Sequence, residues 1–519
     1  MSSSVNSVRR SSKRRSSMAS SRSLLRPARG FNLAKLAVTF KQECWLIPGL
    51  SMWLLATFLA VSSIYLGLTY ATFEYMFKAQ PGPYLDEVFH IPQAQRYCNG
   101  SFSEWDPKIT TLPGLYFLSV GMLKPVSWFL SNPQFCSSVY ALRCINMLLS
   151  TGLLYVVYSL LRQIHDFKDE LEVAQGILTA VNICIFPVLY FFNFLYYTDV
   201  MSTFLVLFAY LLCLQERHVL SAVTGSLAVC VRQTNIVWVM FFGLLSLAET
   251  LKQNAYISKK KFTLPVVRSY KYLELLWFSS CRVALANSAA CKTLAVSMLR
   301  NLTGYIFVGA AFIIFVVWNG SIVVGDKQAH QASIHLTQLL YFSAFFLFFM
   351  FPVAAPYVFT LHVTLRQRVV PVLIGMVIIF TIVHFNTVAH PYLLADNRHY
   401  TFYIWRRIID RAWWSRYMVT PFYMLGCLLI GSILKRTDFV FQIGFIFCLI
   451  ASIVPQSLLE FRYFIIPYVL LRLCVTKLEI WQLFSEMGLY GLVNVSTIMI
   501  YSLKTIKWPN MEEPQRFLW

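Results

Sequence analysis

The sequence predicts an all-α polytopic membrane protein, folded as one helix bundle with about 12 to 14 transmembrane helices. Hydrophobic residues make up 57% of the 519 residues and charged residues only 13%, whereas soluble domains carry about 25% charged residues. Apolar stretches of about 17 to 25 residues recur along the chain, which is the length that a helix needs to cross a bilayer. They lack the alternation typical of membrane β-strands.

The N-terminal arm, residues 1–42, is predicted to be disordered and cytosolic. Its Lys and Arg residues are interspersed with Ser, and it contains no acidic residue. This composition is typical of disorder and of a cytosolic topology signal. An RNA-binding tail is the alternative, but we expect no nucleic-acid partner because the net charge of +21 is concentrated at topogenic positions. The arm has no small-residue cleavage site, so we expect the first apolar stretch to remain as an anchor.

The remaining residues, 43–519, are expected to form a single transmembrane domain. Basic clusters around Lys252 to Lys271, at Arg366 and Arg368, and at Lys435 and Arg436 mark cytosolic ends. With the first span leaving the cytosol, 71–136 becomes a long exoplasmic loop and 251–301 a basic cytosolic loop. The predicted spans are 45–70, 138–161, 174–192, 199–214, 219–232, 234–250, 302–319, 337–360, 369–388, 417–434, 439–457, 462–474 and 485–503.

The first exoplasmic loop has two further features. Residues 113–130 contain Gly114, Lys124 and Pro125 and are expected to form a short interfacial or re-entrant helix rather than a span. Most of the twelve cysteines lie inside apolar segments, but Cys98 and Cys136 both fall in this loop, where a disulfide is permitted. An Asn-Gly-Ser sequon begins between them, at residue 99.

Polar and ionisable side chains collect in the exoplasmic segments, whereas the cytosolic loops carry mainly Lys and Arg. Ionisable residues close to a bilayer are costly and usually mark a site. The candidate site residues from these segments are Asp86, Glu87, His90, Gln93, Asp106, Asp199, Arg232, Asp326, His330, Asp396, Arg398, His399, Tyr400, Glu460 and Arg462. Their distribution predicts chemistry at one face of the membrane.

The acidic pair Asp86 and Glu87 precedes His90 by about one helical turn. A short helix would bring a carboxylate and the imidazole to one face, which suits general-base catalysis on a hydroxyl group. The alternative is an ordinary solvated helix start. A zinc protease is not indicated, because the first histidine of the HExxH motif is missing.

Three further clusters carry their own alternatives. Asp326 and His330 are one helical turn apart but are equally compatible with a solvated loop. The run 396–400 combines a carboxylate, an amide and two potential cations, which suits binding of a phosphate and a sugar; the alternative is an interfacial anchor. Glu460 and Arg462 could simply pair with each other at the end of a span.

At these residues the chain resembles the eukaryotic dolichyl-phosphate-glucose-dependent α-1,2-glucosyltransferase family. The resemblance covers about residues 84–519. It is carried by PYLDEVFHIPQAQRYC (83–98), WDPKITTLPGLY (105–116), LYFFNFLYYTD (189–199), RQTNI (232–236), LLADNRHYTFYIW (393–405), PQSLLEFRYFIIPY (455–468) and the closing WPNMEEPQRFLW. Nothing is implied for the N-terminal arm.

The resemblance implies a C-type glycosyltransferase (GT-C) fold in the endoplasmic reticulum membrane, with the first loop in the lumen. It implies dolichyl phosphate glucose as donor and a diglucosylated dolichyl-diphosphate oligosaccharide as acceptor, joined with inversion of configuration. Asp86 or Glu87 would be the base. The donor phosphate or sugar would be bound by Arg398, His399, Tyr400, Arg232 and Arg462, and the acceptor held or oriented by the other candidates. The sequence does not decide between the two carboxylates.

We expect no cofactor and no metal. The chain has no glycine-rich phosphate loop and no DxD triplet, and it offers no strong set of metal ligands. The main alternative function is a transporter or a channel-associated protein, which would need polar residues through the bilayer midplane. A purely structural membrane protein is a third possibility. The predicted spans are mostly apolar, which favours an enzyme.

Overall fold

The computed structural model describes residues 52–255, 261–286, 288–327, 333–367, 369–475, 478–509 and 514–519. The predicted N-terminal arm lies outside these ranges. Residues 56–519 form one compact unit. It is almost entirely helical, as the apolar stretches predict, and its one small sheet is a two-stranded antiparallel pair among the described residues.

Twenty-two α-helices are described here, in chain order. They are α1 Met52–Ala79, α2 Glu87–Cys98, α3 Gly114–Phe129, α4 Gln134–Ser137, α5 Val139–His165, α6 Glu170–Cys184, α7 Pro187–Phe192, α8 Thr198–Leu214, α9 His218–Val231, α10 Ile236–Gln253, α11 Leu264–Val267, α12 Lys271–Ala286, α13 Ser288–Asn319, α14 Thr337–Gln367, α15 Val369–Asn386, α16 Pro391–Ala395, α17 Tyr400–Ile404, α18 Ser415–Met418, α19 Thr420–Leu434, α20 Phe439–Ile453, α21 Ile465–Leu473 and α22 Ile480–Leu503. Short 3₁₀ turns cover Gln233–Asn235 and Phe461–Phe464, a π turn covers Trp405–Ile409, and the strands are β1 Thr505–Ile506 and β2 Gln515–Arg516.

Within the described residues, eight helices are long and apolar enough to cross a membrane. They are Trp53–Ala79, Val139–His165, Gln233–Gln253, Ser288–Asn319, Thr337–Pro356, Val369–Asn386, Ser415–Leu434 and Ile480–Leu503. Three shorter apolar helices, Thr198–Leu214, His218–Val231 and Phe439–Ile453, accompany them. The multi-span, all-α architecture is therefore confirmed, whereas the count of 12 to 14 spans stays a prediction.

Several boundaries differ from the predicted ones. The expected span 174–192 is two helices, because Pro187 begins α7 and has no N–H with which to continue α6. Helix α13 begins at Ser288 rather than residue 302, so much of the predicted loop 251–301 is helical. The expected span 462–474 contains most of the 3₁₀ turn Phe461–Phe464 and then the nine-residue α21. Residues 114–129 do form a helix, and it is not among the candidate spans.

The bundle interior also contains a charged pair that was not predicted from the sequence. Arg472 on α21 donates to both carboxylate oxygens of Glu486 on α22, at 2.7 and 2.8 Å, and both side chains are fully buried. Asn182 on α6 adds a third hydrogen bond to Glu486, at 2.8 Å. A pair enclosed in this way joins three helices.

Candidate active site

The acidic pair of the first loop lies at a turn that separates its two side chains. Leu85 has a positive φ of 54°, an uncommon conformation for a side chain without a local hydrogen-bonding group. Asp86 follows as the N-cap residue of α2, and its backbone N–H donates to the Tyr197 hydroxyl at 3.1 Å. The Asp86 side chain is 42% exposed, whereas that of Glu87 is completely buried. The two adjacent carboxylates therefore occupy different environments.

Glu87 is enclosed by N–H donors. Its Oε1 accepts from Arg143 at 2.8 Å and from the backbone of Tyr196 at 2.6 Å, and its Oε2 accepts from Arg143 at 2.6 Å and from the backbone of Tyr84 at 3.0 Å. Arg143 also donates to the carbonyls of Gln80 and Gly82. This buried pair fixes the start of the first loop against α5 and the segment before α8.

A cavity of about 530 Å³ adjoins Asp86 and is called here the first-loop cavity. Its walls come from the first loop, the start of α8, the end of α9, the loop after α13, and the segments 392–401 and 458–463. Eight of the predicted site residues line it, namely Asp86, His90, Arg232, Asp326, Asp396, His399, Glu460 and Arg462. The structure thus brings together residues that are up to 376 positions apart in the chain.

Arg462 is the central cation of this wall. Its Nη1 is 3.3 Å from Asp86 Oδ2 and 3.7 Å from Asp199 Oδ2, and its Nη2 is 2.8 Å from Glu460 Oε2. The expected pairing of Glu460 with Arg462 is present, but it is part of a larger network. Arg462 also stacks over the ring of Tyr197, 5.4 Å from its centre.

The network determines the charge of Asp86. Partial removal of the Asp86 carboxyl from water would raise its pKa, but the positive charge of Arg462 outweighs this effect and holds the pKa below its ordinary value. Burial lowers the pKa of His90, although Asp86 opposes this. The His90 Nδ1 lies 2.6 Å from the Tyr116 hydroxyl. At neutral pH these shifts give an ionised Asp86 beside a neutral imidazole.

Asp199 and Arg232 form a second pair behind the cavity wall. Arg232 Nη1 is 2.7 Å from Asp199 Oδ1, and Asp199 is buried. The Arg232 guanidinium lies over the Tyr463 ring, 5.4 Å from its centre. Because Asp199 contacts both Arg232 and Arg462, it fixes the distance between the two cations that face the cavity.

The run 396–400 is divided between the cavity and the protein interior. Asp396 and His399 line the cavity, but Arg398 does not. The Arg398 guanidinium makes a bidentate contact with Asp396 at 2.7 to 3.2 Å, donates to Gln515 at 2.9 Å and stacks on Trp508 at 4.4 Å. Burial would raise the Asp396 pKa, but hydrogen bonds from Arg398 lower it. Tyr400 packs against Trp519, also away from the cavity.

The remaining predicted residues differ in where they lie relative to the cavity. Gln93 donates to the Glu104 carbonyl at 2.7 Å and accepts from the Asp106 backbone at 3.0 Å. Asp106 in turn accepts from the Lys108 backbone at 2.9 Å. Neither Gln93 nor Asp106 lines the cavity, whereas Asp326 does. His330 lies outside the described residues.

The loop that carries Asp326 packs directly onto the first loop. Gly325 has a positive φ of 72°, and a Cβ there would lie 2.3 Å from the Pro107 carbonyl oxygen. Val324 N–H donates to the Thr110 carbonyl at 3.1 Å. Glycine is therefore required both for the backbone conformation and for the close approach of the two loops.

Three parts of the site are not among the residues predicted from the sequence. Arg143 and residues 514–519 support the site from behind, and Lys108 lines the cavity itself. Arg143 could have been predicted, because it is a single Arg inside an apolar span and such a residue is costly without a partner. Lys108 is exposed and forms no ion pair with another described residue. In the part of the chain that the structure describes, no group of three His, Cys, Asp or Glu residues could hold a metal ion.

Comparison with known proteins identifies the family. The profile of the DIE2/ALG10 family matches residues 80–473, about three quarters of the chain. The chain belongs to the DIE2/ALG10 family. The match includes Asp86, Arg143, Asp199, Arg232, Asp396, His399 and Arg462. It ends before residues 514–519, which contact the 396–400 run.

Named relatives of this DIE2/ALG10 protein agree with one another. It is 42% identical to a human Dol-P-Glc:Glc(2)Man(9)GlcNAc(2)-PP-Dol alpha-1,2-glucosyltransferase, over 84% of this chain and 93% of the relative. It is 36% identical to the Drosophila melanogaster protein of that name and 34% identical to the Arabidopsis thaliana one, with 84% and 85% of this chain covered and 93% and 95% of those relatives.

Among solved structures, the chain is similar to an archaeal oligosaccharyltransferase, AglB from Archaeoglobus fulgidus, in complex with an inhibitory peptide and a dolichol-phosphate. The TM-score is 0.37 at 13% identity, covering 83% of this chain and 55% of the other. This likeness is too weak to support any statement about the site.

Proposed function

We propose that this protein is an inverting glucosyltransferase. It moves glucose from dolichyl phosphate glucose to the diglucosylated dolichyl-diphosphate oligosaccharide and forms the terminal α-1,2 linkage. Membership of the DIE2/ALG10 family and the names of its relatives supply the substrates. The observation that carries the chemistry is the Asp86 carboxylate, which is exposed at the wall of the first-loop cavity and held beside Arg462.

In the proposed reaction, Asp86 accepts the proton from the attacking hydroxyl of the acceptor glucose. The new bond forms between that oxygen and C1 of the donor glucose while the bond from C1 to the phosphate oxygen breaks. Because the attack comes from the face opposite the phosphate, the β-linked glucose becomes α-linked. Dolichyl phosphate leaves with the electron pair of the broken bond, and no covalent enzyme intermediate forms.

Asp86 is a better candidate for the base than Glu87. Both Glu87 oxygens already accept N–H groups, and the side chain is closed off from the cavity. Proton transfer to Glu87 would require its pair with Arg143 to open. The geometry therefore favours a structural role for Glu87 and leaves Asp86 as the group within reach of a substrate.

Cations at the same wall suit the donor phosphate. Arg232, Arg462 and Lys108 line the cavity, and the imidazole of His399 lies with them as a further hydrogen-bonding group. Arg462 and Arg232 are shared with three carboxylates, so a phosphate would compete with Asp86, Asp199 and Glu460 for their N–H groups. Arg398 and Tyr400 contribute indirectly by holding His399 at the cavity. Asp326, Asp396 and His90 remain candidates for orienting the acceptor.

The family's pathway implies a multi-pass protein of the endoplasmic reticulum membrane. We propose that the first-loop cavity faces the lumen and that the N-terminus is cytosolic. The disulfide between Cys98 and Cys136 supports this orientation, because disulfides persist in oxidising compartments. The expected partners are the two dolichol-linked substrates and membrane lipid.

A transporter is a weaker alternative. Arg472 and Glu486, which are buried within the bundle, pair with each other rather than line an open path. Eight of the predicted ionisable site residues instead lie together at the first-loop cavity. No observation on the described residues favours permeation over glucosyl transfer.

The direct test is an assay with purified protein and defined lipids. Donor and acceptor lipids are supplied together, and the product is analysed for one added glucose in α-1,2 linkage. We expect transfer only when the acceptor carries two glucose residues. Absence of transfer by folded wild-type protein, or transfer with another linkage, would overturn the proposal.

A further inference from the structure

The turn after α2 carries a candidate modification site. Four Asn-X-Ser/Thr sequons occur in the chain, at Asn99, Asn301, Asn319 and Asn494. Asn301 and Asn494 are buried, and their side-chain amides donate to Thr250 and to the Ile185 carbonyl. Neither position leaves room for a carbohydrate within the folded protein.

The two remaining sequons, at Asn99 and Asn319, have the same sequence, Asn-Gly-Ser, but different surroundings. The amide of Asn319 donates to the carbonyls of Ser321 and Val323 at 2.8 and 2.9 Å, and this closes the turn after α13. Asn99 is exposed at the end of α2, and its side chain has no partner among the described residues. A substituent on its amide nitrogen would therefore break no contact of the described structure.

Asn99 is also adjacent to a disulfide bond. Cys98 is bonded to Cys136. Because disulfides form in oxidising compartments, the turn that carries Asn99 is expected on that side of the membrane. We infer that Asn99 is N-glycosylated. Its amide nitrogen would form a bond with C1 of an oligosaccharide carried on a diphospholipid. The bond from C1 to the diphosphate oxygen would break, the amide would lose a proton, and the lipid diphosphate would leave.

The test is the electrophoretic mobility of the full chain made in microsomes, before and after treatment with peptide N-glycosidase. We expect the wild type to lose the mass of one glycan, and Asn99→Gln and Ser101→Ala to lose none. Asn319→Gln is the matched control and should behave as the wild type. An unmodified wild type, or a glycan that survives Asn99→Gln, would overturn the inference. The readout does not depend on glucose transfer, so it is independent of the proposed function.

A second inference concerns the C-terminal hairpin, which consists of β1, β2 and the flanking described residues 507–509, 514 and 517–519. It rests on the proposed function. Arg516 donates to the carbonyls of Ala79, Tyr501 and Ser502 at 2.5 to 2.9 Å, and to Gln80 Oε1 at 3.1 Å. Its backbone N–H and carbonyl both bond to the Tyr84 hydroxyl, at 2.8 and 2.6 Å. The hairpin is therefore attached to the residues that immediately precede Asp86.

The same hairpin also contacts the 396–400 segment, which forms another part of the cavity wall. Leu518 N–H donates to the Arg398 carbonyl at 3.0 Å, and Tyr400 N–H donates to the Leu518 carbonyl at 3.2 Å. The Trp519 ring packs against Tyr400 and Phe461, next to Arg462. We propose that Arg516 is a positioning residue, which sets the distance between Asp86 and the part of the cavity wall that carries His399.

Arg516→Ala and Arg516→Lys test this role, with Lys507→Ala as an exposed control in the same hairpin. We expect kcat/KM per folded molecule to fall roughly 10- to 100-fold in Arg516→Ala, the order of effect of a small displacement of reacting groups. Arg516→Lys should recover part of the loss. Amide hydrogen exchange should become faster at 80–86 and 396–400 but not along α5.

Unchanged kinetics together with unchanged exchange would overturn the positioning role. A uniform rise in exchange would also overturn it, because it would indicate only general destabilisation. If the wild type itself fails to transfer glucose, the proposed function fails, whereas the exchange measurement still decides whether the hairpin holds these two parts of the cavity wall.

Discussion

Arg143→Met removes the only side-chain cation that contacts Glu87 among the described residues. Met has a similar length and is apolar, so the change deletes the charge and four hydrogen bonds without opening a large cavity. The Glu87 carboxylate keeps two backbone donors, Tyr84 and Tyr196, but remains fully buried. Breaking a buried pair by removing one partner leaves an uncompensated charge.

We expect a loss of about 3–5 kcal/mol in the free energy of unfolding. This is a large part of the roughly 5–15 kcal/mol that stabilises a typical folded domain. Neutralising the carboxylate as well, with Arg143→Met combined with Glu87→Gln, should recover about 1–3 kcal/mol because no charge then remains buried.

The assay is unfolding by guanidinium chloride in detergent micelles, with Arg96→Met as control. The pair of Arg96 and Glu104 lies in the same loop at 3.7 Å, but its side chains are 40% and 62% exposed. Loss of such a surface pair should change stability by less than about 1 kcal/mol. A similarly small effect of Arg143→Met would refute the assignment of Glu87 to a structural pair.

Two further predictions concern charge. Arg462 keeps the Asp86 pKa below its ordinary value, so Arg462→Met should raise that pKa, and the acidic limb of the kcat/KM profile should move to higher pH; an unmoved limb would count against Asp86 as the titrating group. Arg472→Leu should destabilise the bundle by about 3–5 kcal/mol, whereas Arg472→Leu combined with Glu486→Leu should be close to the wild type. Unfolding of the wild type, the single variant and the double variant in micelles checks the second expectation. Equal stability of the single and double variants would contradict it.

The helical architecture was predictable because the bilayer constrains segment length and composition directly. Apolar stretches located nearly every long helix, including α5, α8 and α15. The helix boundaries were harder to predict, since Pro187 divides one expected span and α13 begins at Ser288, within the predicted polar loop. Local composition does not show where a helix continues beyond the apolar segment.

The grouping of polar residues was also predictable, because charges near a membrane are placed where they find partners or substrates. Eight candidates do line one cavity. What the sequence could not supply is the direction of each side chain. Asp86 and Glu87 are adjacent, yet one faces the cavity and the other pairs with Arg143. Arg398 and His399 also point in different directions. His399 lines the cavity, whereas the Arg398 guanidinium is held by Asp396 and Gln515.

The contribution of the C-terminal hairpin could not be predicted from the sequence for a different reason. Its contacts with Tyr84 and Tyr400 join positions separated by more than one hundred residues. Such contacts depend on the packing of the whole bundle rather than on any local pattern. The closing run WPNMEEPQRFLW identified the family but did not indicate a location beside the cavity.

The central claim, that Asp86 is the base of an inverting glucosyl transfer, is tested most directly by the transfer rate of Asp86→Asn. The amide keeps the size of the side chain but cannot accept the proton. With defined donor and acceptor lipids, and with unfolding of the variant matching the wild type, we expect the rate to fall about 100- to 10,000-fold. Transfer by folded Asp86→Asn at the wild-type rate would contradict the claim.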